Sequence, residues 1–189
     1  RITAVGQVDE GGTQELDADG AVVAPGWVDV HSHYDGQATW DEELAPSSWH
    51  GVTTLVMGNC GVGFAPLRAG EQDRLISLME GVEDIPGTAL TEGITWGWES
   101  FPEYLDAVEK QKLAVDFGTQ VAHGAVRGYA MGDRGARNEA ATADRNDQCV
   151  KVRCGLQHFR NLLRTRHRPR AGTARFAGDA HFPSRLRWP

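Results

Sequence analysis

The chain has 189 residues, 40% hydrophobic and 24% charged, with a formal net charge of −7; this supplies one buried core and excludes the composition of a disordered chain. No run approaches the roughly 18 to 20 apolar residues of a membrane helix and no basic-then-apolar leader opens the sequence, so a soluble, cytoplasmic protein is expected. Three cysteines, Cys60, Cys149 and Cys154, are too few and too irregularly spaced for a disulfide framework, which agrees with a reducing compartment.

The opening stretch from Ile2 to Val8 and then Ala21 to Ala24 reads as short strands joined by Glu10-Gly11-Gly12 and Asp19-Gly20 turns. Residues 1–24 are therefore expected to be part of a small β-domain. The apolar stretch from Val22 to Val30, with Pro25-Gly26 inside it, has the pattern of a buried parallel strand, and His31 and His33 fall where it stops. A second apolar run, Val52 to Met57, is rich in β-branched residues and ends in Gly58-Asn59-Cys60-Gly61.

Helical patterns follow. Between Glu71 and Val82, Leu75, Ile76, Leu78, Met79 and Val82 recur at three- and four-residue spacings. Ser100-Phe101-Pro102-Glu103 has the form of a capping box, with Phe101, Tyr104, Leu105 and Val108 as the apolar face behind it, and predicts a helix of about three turns after Ser100. A third strand, Ala114 to Val121, ends at His123-Gly124. Strands alternating with helices in this way open an α/β fold with a parallel sheet.

His31-Ser32-His33 places two imidazoles at i and i+2, on one face of an extended strand, where both can reach one metal ion. Taken alone, the pair reads more readily as two surface or capping histidines, and Cys60 as a small buried apolar residue. Position adds weight, because barrel enzymes carry their catalytic groups at the C-terminal ends of strands.

Ala24-Pro25-Gly26-Trp27-Val28-Asp29-Val30-His31-Ser32-His33 resembles the first barrel strand of the amidohydrolase superfamily, and Gly58-Asn59-Cys60-Gly61 resembles the second-strand motif of its N-acyl-D-amino-acid deacylase (D-aminoacylase) branch. The 29-residue offset of Cys60 from His31 fits that branch. Val121 to Arg127 and Gly132 to Glu139 are similar to the family's third-strand region and the loop after it, and the resemblance covers roughly residues 20–142. It implies a (β/α)8 TIM-type barrel over 25–142, present only in its first strands, preceded by part of a small β-sandwich domain. It also implies that His31, His33 and Cys60 are metal ligands for one or two zinc ions, with zinc activating water against a linear amide and an N-acyl amino acid as the small-molecule substrate. Two further histidines and an aspartate of the family pattern come from later strands, so no catalytic residue is assigned. His123 is a candidate substrate-binding residue, although a strand-end histidine satisfied by backbone groups is the favoured reading. Trp40, Trp96 and Trp98 could line an acyl pocket, but at this density tryptophans are expected to pack. Cyclic-amide amidohydrolases of the dihydroorotase or hydantoinase type are the alternative.

Charge breaks sharply near the end of this region. Residues 1–149 hold 9 Lys+Arg against 25 Asp+Glu, net −16, whereas residues 150–189 hold 10 against 1, net +9. After Thr142 the strand and helix patterns disappear, so 143–189 reads as an aberrant, disordered basic tail. Back-translating Gly155 to Arg160 from the second base permits Gly-Phe-Ser-Thr-Ser, and the same shift at Arg170 to Thr173 permits Val-Pro-Gly, two segments the family would show next and in that order. The tail is therefore expected to be frameshifted translation; the competing reading is a noncatalytic fragment with an arginine-rich, nucleic-acid-binding arm, against which stands the lack of any nucleic-acid module. With about three of eight barrel strands, the chain is expected to be inactive alone. Sequencing the gene from codon 135 to several hundred bases past codon 189 should reveal the shifted frame continuing into strands that bear the missing His and Asp; an intact frame ending after Pro189 would refute the frameshift.

Overall fold

The computed structural model describes residues 4–7, 12, 14–143 and 185–188. The chain divides into two compact units, residues 1–26 with 168–189, and residues 27–167. In the first, β1 (Gln14–Asp17) pairs antiparallel with β5 (Arg185–Trp188), with Gln14 opposite Trp188 and Asp17 opposite Arg185. The strands expected in the opening stretch are not what forms: residues 4–7 are irregular and Ala21 to Ala24 contributes only a bridge at Val22. Apart from β5, the tail expected to be aberrant lies outside the described residues beyond 143.

The second unit holds a parallel sheet of order β2-β3-β4, built from β2 (Trp27–Asp29), β3 (Val52–Met57) and β4 (Asp116–Thr119). Among the described residues this sheet is open, as expected for the first strands of an α/β barrel. β2 is shorter than its apolar run because Pro25 has no N–H to give a ladder, and the first bond across to the neighbouring strand comes from Trp27, whose N–H donates to Gly51 O at 2.9 Å. Asp29 lies opposite Leu55, and Met57 opposite Thr119. This register brings the C-terminal ends of all three strands to one edge of the sheet. His31-Ser32-His33, Gly58 to Gly61 and Gln120 to His123 are the segments that leave that edge.

The crossover from β2 to β3 contains no α-helix, only 3-10 turns at Gln37–Thr39 and Ser48–His50. The crossover from β3 to β4 carries α1 (Gln72–Glu83), α2 (Gly87–Gly93) and α3 (Phe101–Glu109). α1 buries Leu75, Ile76 and Met79 but leaves Leu78 and Val82, at the edge of the same apolar face, exposed. α3 begins as its capping box predicts: Ser100 Oγ accepts from Glu103 N, and the Glu103 carboxylate accepts from Ser100 N at 2.8 Å. These bonds satisfy N–H groups that the first helical turn leaves without partners.

Leu55 and Met57 are the buried residues of β3, and they belong to one core with Phe64, Leu67, Leu75, Met79, Leu90, Tyr104 and Val108. Among the described residues no helix is long and apolar enough to cross a membrane.

One core contact reaches the strand ends directly. Tyr104, buried on α3, donates its hydroxyl to the backbone carbonyl of Asp35 at 2.8 Å, across 69 residues of sequence. Replacing it with phenylalanine leaves that carbonyl without a partner in a dry site. Tyr104→Phe is expected to lower stability by about 1 to 3 kcal/mol, read as a reduced urea midpoint with an unchanged m-value; an unchanged midpoint would show that the bond contributes nothing.

Candidate metal centre

The site begins where β2 runs out. Asp29 Oδ1 accepts from His31 N at 3.0 Å and turns the chain out of the strand. Ser32 is buried, and both its N–H and its hydroxyl donate to the carbonyl of Val56, at 3.0 and 2.9 Å. The histidines flanking this anchored serine have ring centroids 5.4 Å apart.

β3 ends in a turn that the sequence Gly-Asn-Cys-Gly is suited to make. Gly58 has φ +77°, and a Cβ there would lie 2.1 Å from the carbonyl oxygen of Gln120, so only glycine lets the ends of β3 and β4 come this close. Cys60 sits in a 3-10 turn, Asn59–Gly61, with φ 53° and ψ 11°. That left-handed conformation costs a non-glycine residue about 1 to 2 kcal/mol, so neighbouring contacts must hold it. The turn presents Cys60 as an exposed, free thiol whose Sγ is 3.1 Å from His31 Nε2.

One ligand atom each from His31, His33 and Cys60 lies within 4.8 Å of the others, a cluster able to hold a metal ion. Two features of the chain fit such an ion. The donors, two imidazole nitrogens and one sulfur, suit a borderline-soft divalent cation such as zinc. His33 Nδ1 is buried without a hydrogen-bond partner, an arrangement that is costly for a polar atom unless something binds it. The other nitrogen of this ring, Nε2, lies 3.2 Å from Glu83 Oε1 at the end of α1, and a carboxylate beside a ligand histidine orients the ring and raises its basicity.

Asp35, two residues beyond His33, is 2% exposed. Its Oδ2 accepts from Gly58 N at 3.2 Å, so it ties the loop after β2 to the turn after β3. Burial is the main reason its carboxyl is pushed up to about 7; the Gly58 and Asp35 amides oppose the rise, and the Glu83 charge adds to it.

His123 is not in the three-residue cluster. It opens α4 (His123–Met131) instead of closing a strand, is exposed, and lies beside the cysteine turn, where a Cβ on Gly61 would be 3.6 Å from the His123 Cβ. A short helix, α5 (Asp133–Ala136), follows it. Trp98 is buried and donates Nε1–H to Phe64 O at 2.8 Å, and Trp96 packs edge-on to Phe64 and tilted against Trp98, whereas Trp40 is 40% exposed with its ring against Gly93. Cys149, Cys154 and His158 lie outside the described residues. Sequence reasoning missed Asp35, Glu83 and Asn59. Asp35 stands two residues beyond the histidine motif, but its burial has no sequence signal, and nothing marks Glu83 as a neighbour of His33.

A parallel sheet that gathers a His-x-His pair and a cysteine at the C-terminal ends of adjacent strands is the arrangement in which α/β barrel proteins carry their functional groups. The chain belongs to the amidohydrolase family, whose model matches residues 14–174, and within it to the D-aminoacylase branch. It is 33% identical over 149 residues to the D-aminoacylase of Alcaligenes xylosoxydans xylosoxydans, an alignment covering 77% of this chain and 28% of that protein. A solved D-aminoacylase, studied for the functional role of its binuclear metal centre, is 32% identical with a TM-score of 0.53 and matches 68% of this chain and 24% of its own. The N-acyl-D-glutamate deacylase of Bordetella bronchiseptica, solved with zinc and a phosphonate inhibitor, is 29% identical with a TM-score of 0.50, over 71% of this chain and 25% of its own. The chain thus spans about a quarter of the length of the relatives it matches.

The raised carboxyl of Asp35 makes metal-free stability depend on pH with a defined sign. Between its ordinary value of 3.8 and about 7 the native state keeps the proton while the unfolded state releases it. The contribution of Asp35 to stability is therefore fully present at low pH and is lost as pH rises from about 4 to about 7, by an amount on the order of 4 kcal/mol. With chelator present, chemical unfolding across this range should show the decline in the wild type and its loss in Asp35→Asn; parallel profiles for the two proteins would refute the assignment.

Proposed function

We propose that His31, His33 and Cys60 are the first ligands of a zinc-dependent hydrolase that cleaves the linear amide C–N bond of N-acyl-D-amino acids. The observation that carries this reading is the gathering of the three donor atoms within 4.8 Å at the strand ends of a chain of this family. The names of its relatives, D-aminoacylase, N-acyl-D-aspartate deacylase and N-acyl-D-glutamate deacylase, support the substrate class. Residues 1–24 fit as part of the small β-domain, and 25–142 as the opening of the barrel.

When bound, zinc would supply Lewis acidity toward the substrate carbonyl and toward water. The remaining tasks belong to the chain. His31 and His33 supply neutral nitrogen donors from either side of Ser32, whose bonds to Val56 hold the pair at the sheet edge. Cys60 supplies a soft anionic donor, a negative charge at the centre that needs no carboxylate ligand from this part of the chain. Glu83 orients the His33 ring. Asp35 holds the two ligand-bearing segments together through Gly58.

Cobalt is a spectroscopic probe for such a site. Titrating the full chain with Co2+ should give stoichiometric binding with a near-ultraviolet thiolate-to-metal absorption band. Cys60→Ser should abolish the band, and His31→Ala or His33→Ala should weaken binding by at least about 10- to 100-fold, the loss that removal of a supporting group alone produces. Binding indifferent to all three substitutions would sink the assignment.

A further inference from the structure

Besides Asp35, which bonds Gly58, the cysteine turn is held by a side chain to which nothing above gives a role. Asn59 immediately precedes Cys60 and donates from Nδ2 to the carbonyl of Val56 at 2.8 Å and to that of Ser32 at 3.3 Å. Its Oδ1 accepts from Gln120 Nε2 at 2.9 Å. Ser32 stands between His31 and His33, Val56 lies near the end of β3, and Gln120 directly follows β4. One amide therefore joins the C-terminal ends of all three parallel strands and uses both of its N–H groups to do so.

The donor set comes from two segments 29 residues apart. A metal ion accepts only a narrow range of donor separations, so the distance between the histidine segment and the cysteine turn must be fixed before the ion arrives. Backbone pairing fixes it in part, through Ser32 N and Val56 O. It does not fix the turn itself, because Cys60 is exposed and occupies a left-handed conformation that its own φ/ψ preference disfavours. The side chain of Asn59 spans that gap, linking the residue before the cysteine to the residue between the histidines.

Resting on the metal reading given above, we propose that Asn59 is a positioning residue of the metal centre: its amide sets the spacing between Cys60 and the His31/His33 pair. Asn59 does not touch the ion and is not a catalytic residue. Its action passes through two N–H donors, which makes Asn59→Asp the informative substitution. That variant keeps the shape and one acceptor, removes both donors, and adds a negative charge near a cation site. Charge alone would strengthen cation binding, whereas loss of positioning weakens it.

The test is Co2+ titration of the full chain, wild type against Asn59→Asp and Gln120→Ala, with the thiolate band recorded and the thermal midpoint of each metal-free protein measured alongside. Gln120 is exposed, so its truncation removes one of the three bonds while sparing the core. Asn59→Asp is expected to bind Co2+ about 10- to 100-fold more weakly, with a diminished thiolate band. Gln120→Ala should show a smaller loss in the same direction at an unchanged midpoint. If both variants keep wild-type affinity and band, whatever their midpoints, Asn59 is only structural and the inference is overturned while the metal site stands. A gain in affinity for Asn59→Asp would overturn it equally. Wild-type protein with no band at all would overturn the metal reading, and this inference with it.

Discussion

The carbonyl oxygen of Val56 is the point on which the site depends. It accepts from Ser32 N, Ser32 Oγ and Asn59 Nδ2, at 3.0, 2.9 and 2.8 Å. Ser32 separates the two histidines in sequence and Asn59 precedes the cysteine, so one backbone oxygen at the end of the central strand holds both halves of the donor set. That oxygen stays in place because β3 is paired on both sides and anchored by the buried Leu55 and Met57. Apolar burial fixes the strand, and the strand fixes the chemistry at its end.

Around this point the chain accumulates features that are unfavourable in isolation. Cys60 has a left-handed backbone, Asp35 is a carboxyl group in a dry pocket, and His33 Nδ1 is a buried nitrogen without a partner. Each costs free energy. Features of this kind also occur elsewhere, at Leu44, Ser48 and Arg74, but these three gather at one edge of the sheet. A cation would complete His33 and reward the approach of a thiol, an imidazole pair and the neighbouring carboxylate of Glu83.

Legibility in the sequence followed the range of the forces involved. β3 and the start of α3 were readable because their determinants are local: a β-branched run in one case, a serine and a glutamate three residues apart in the other. β2 was overextended because its apolar run continues across Pro25, and the helix opened by His123 was missed because Val121 to His123 looked like the end of a strand. On α1, periodicity could not tell that Leu78 and Val82, at the edge of the apolar face, stay exposed. The strand Gln14–Asp17 went unnoticed because its residues are all exposed and show no alternation, and its pairing with Arg185–Trp188 joins opposite ends of the chain.

By itself the sequence determined the α/β character, the residue types at the strand ends, and the resemblance of the histidine and cysteine motifs to one family. Those are written in spacing, and spacing survives without a fold. Only the tertiary structure decided that three donors from segments 29 residues apart lie within 4.8 Å, that Asp35 is dry, that Glu83 faces His33, and that Asn59 joins three strand ends. Each of those facts depends on parallel register and on burial, which come from how distant segments pack, and no local pattern records where such segments meet.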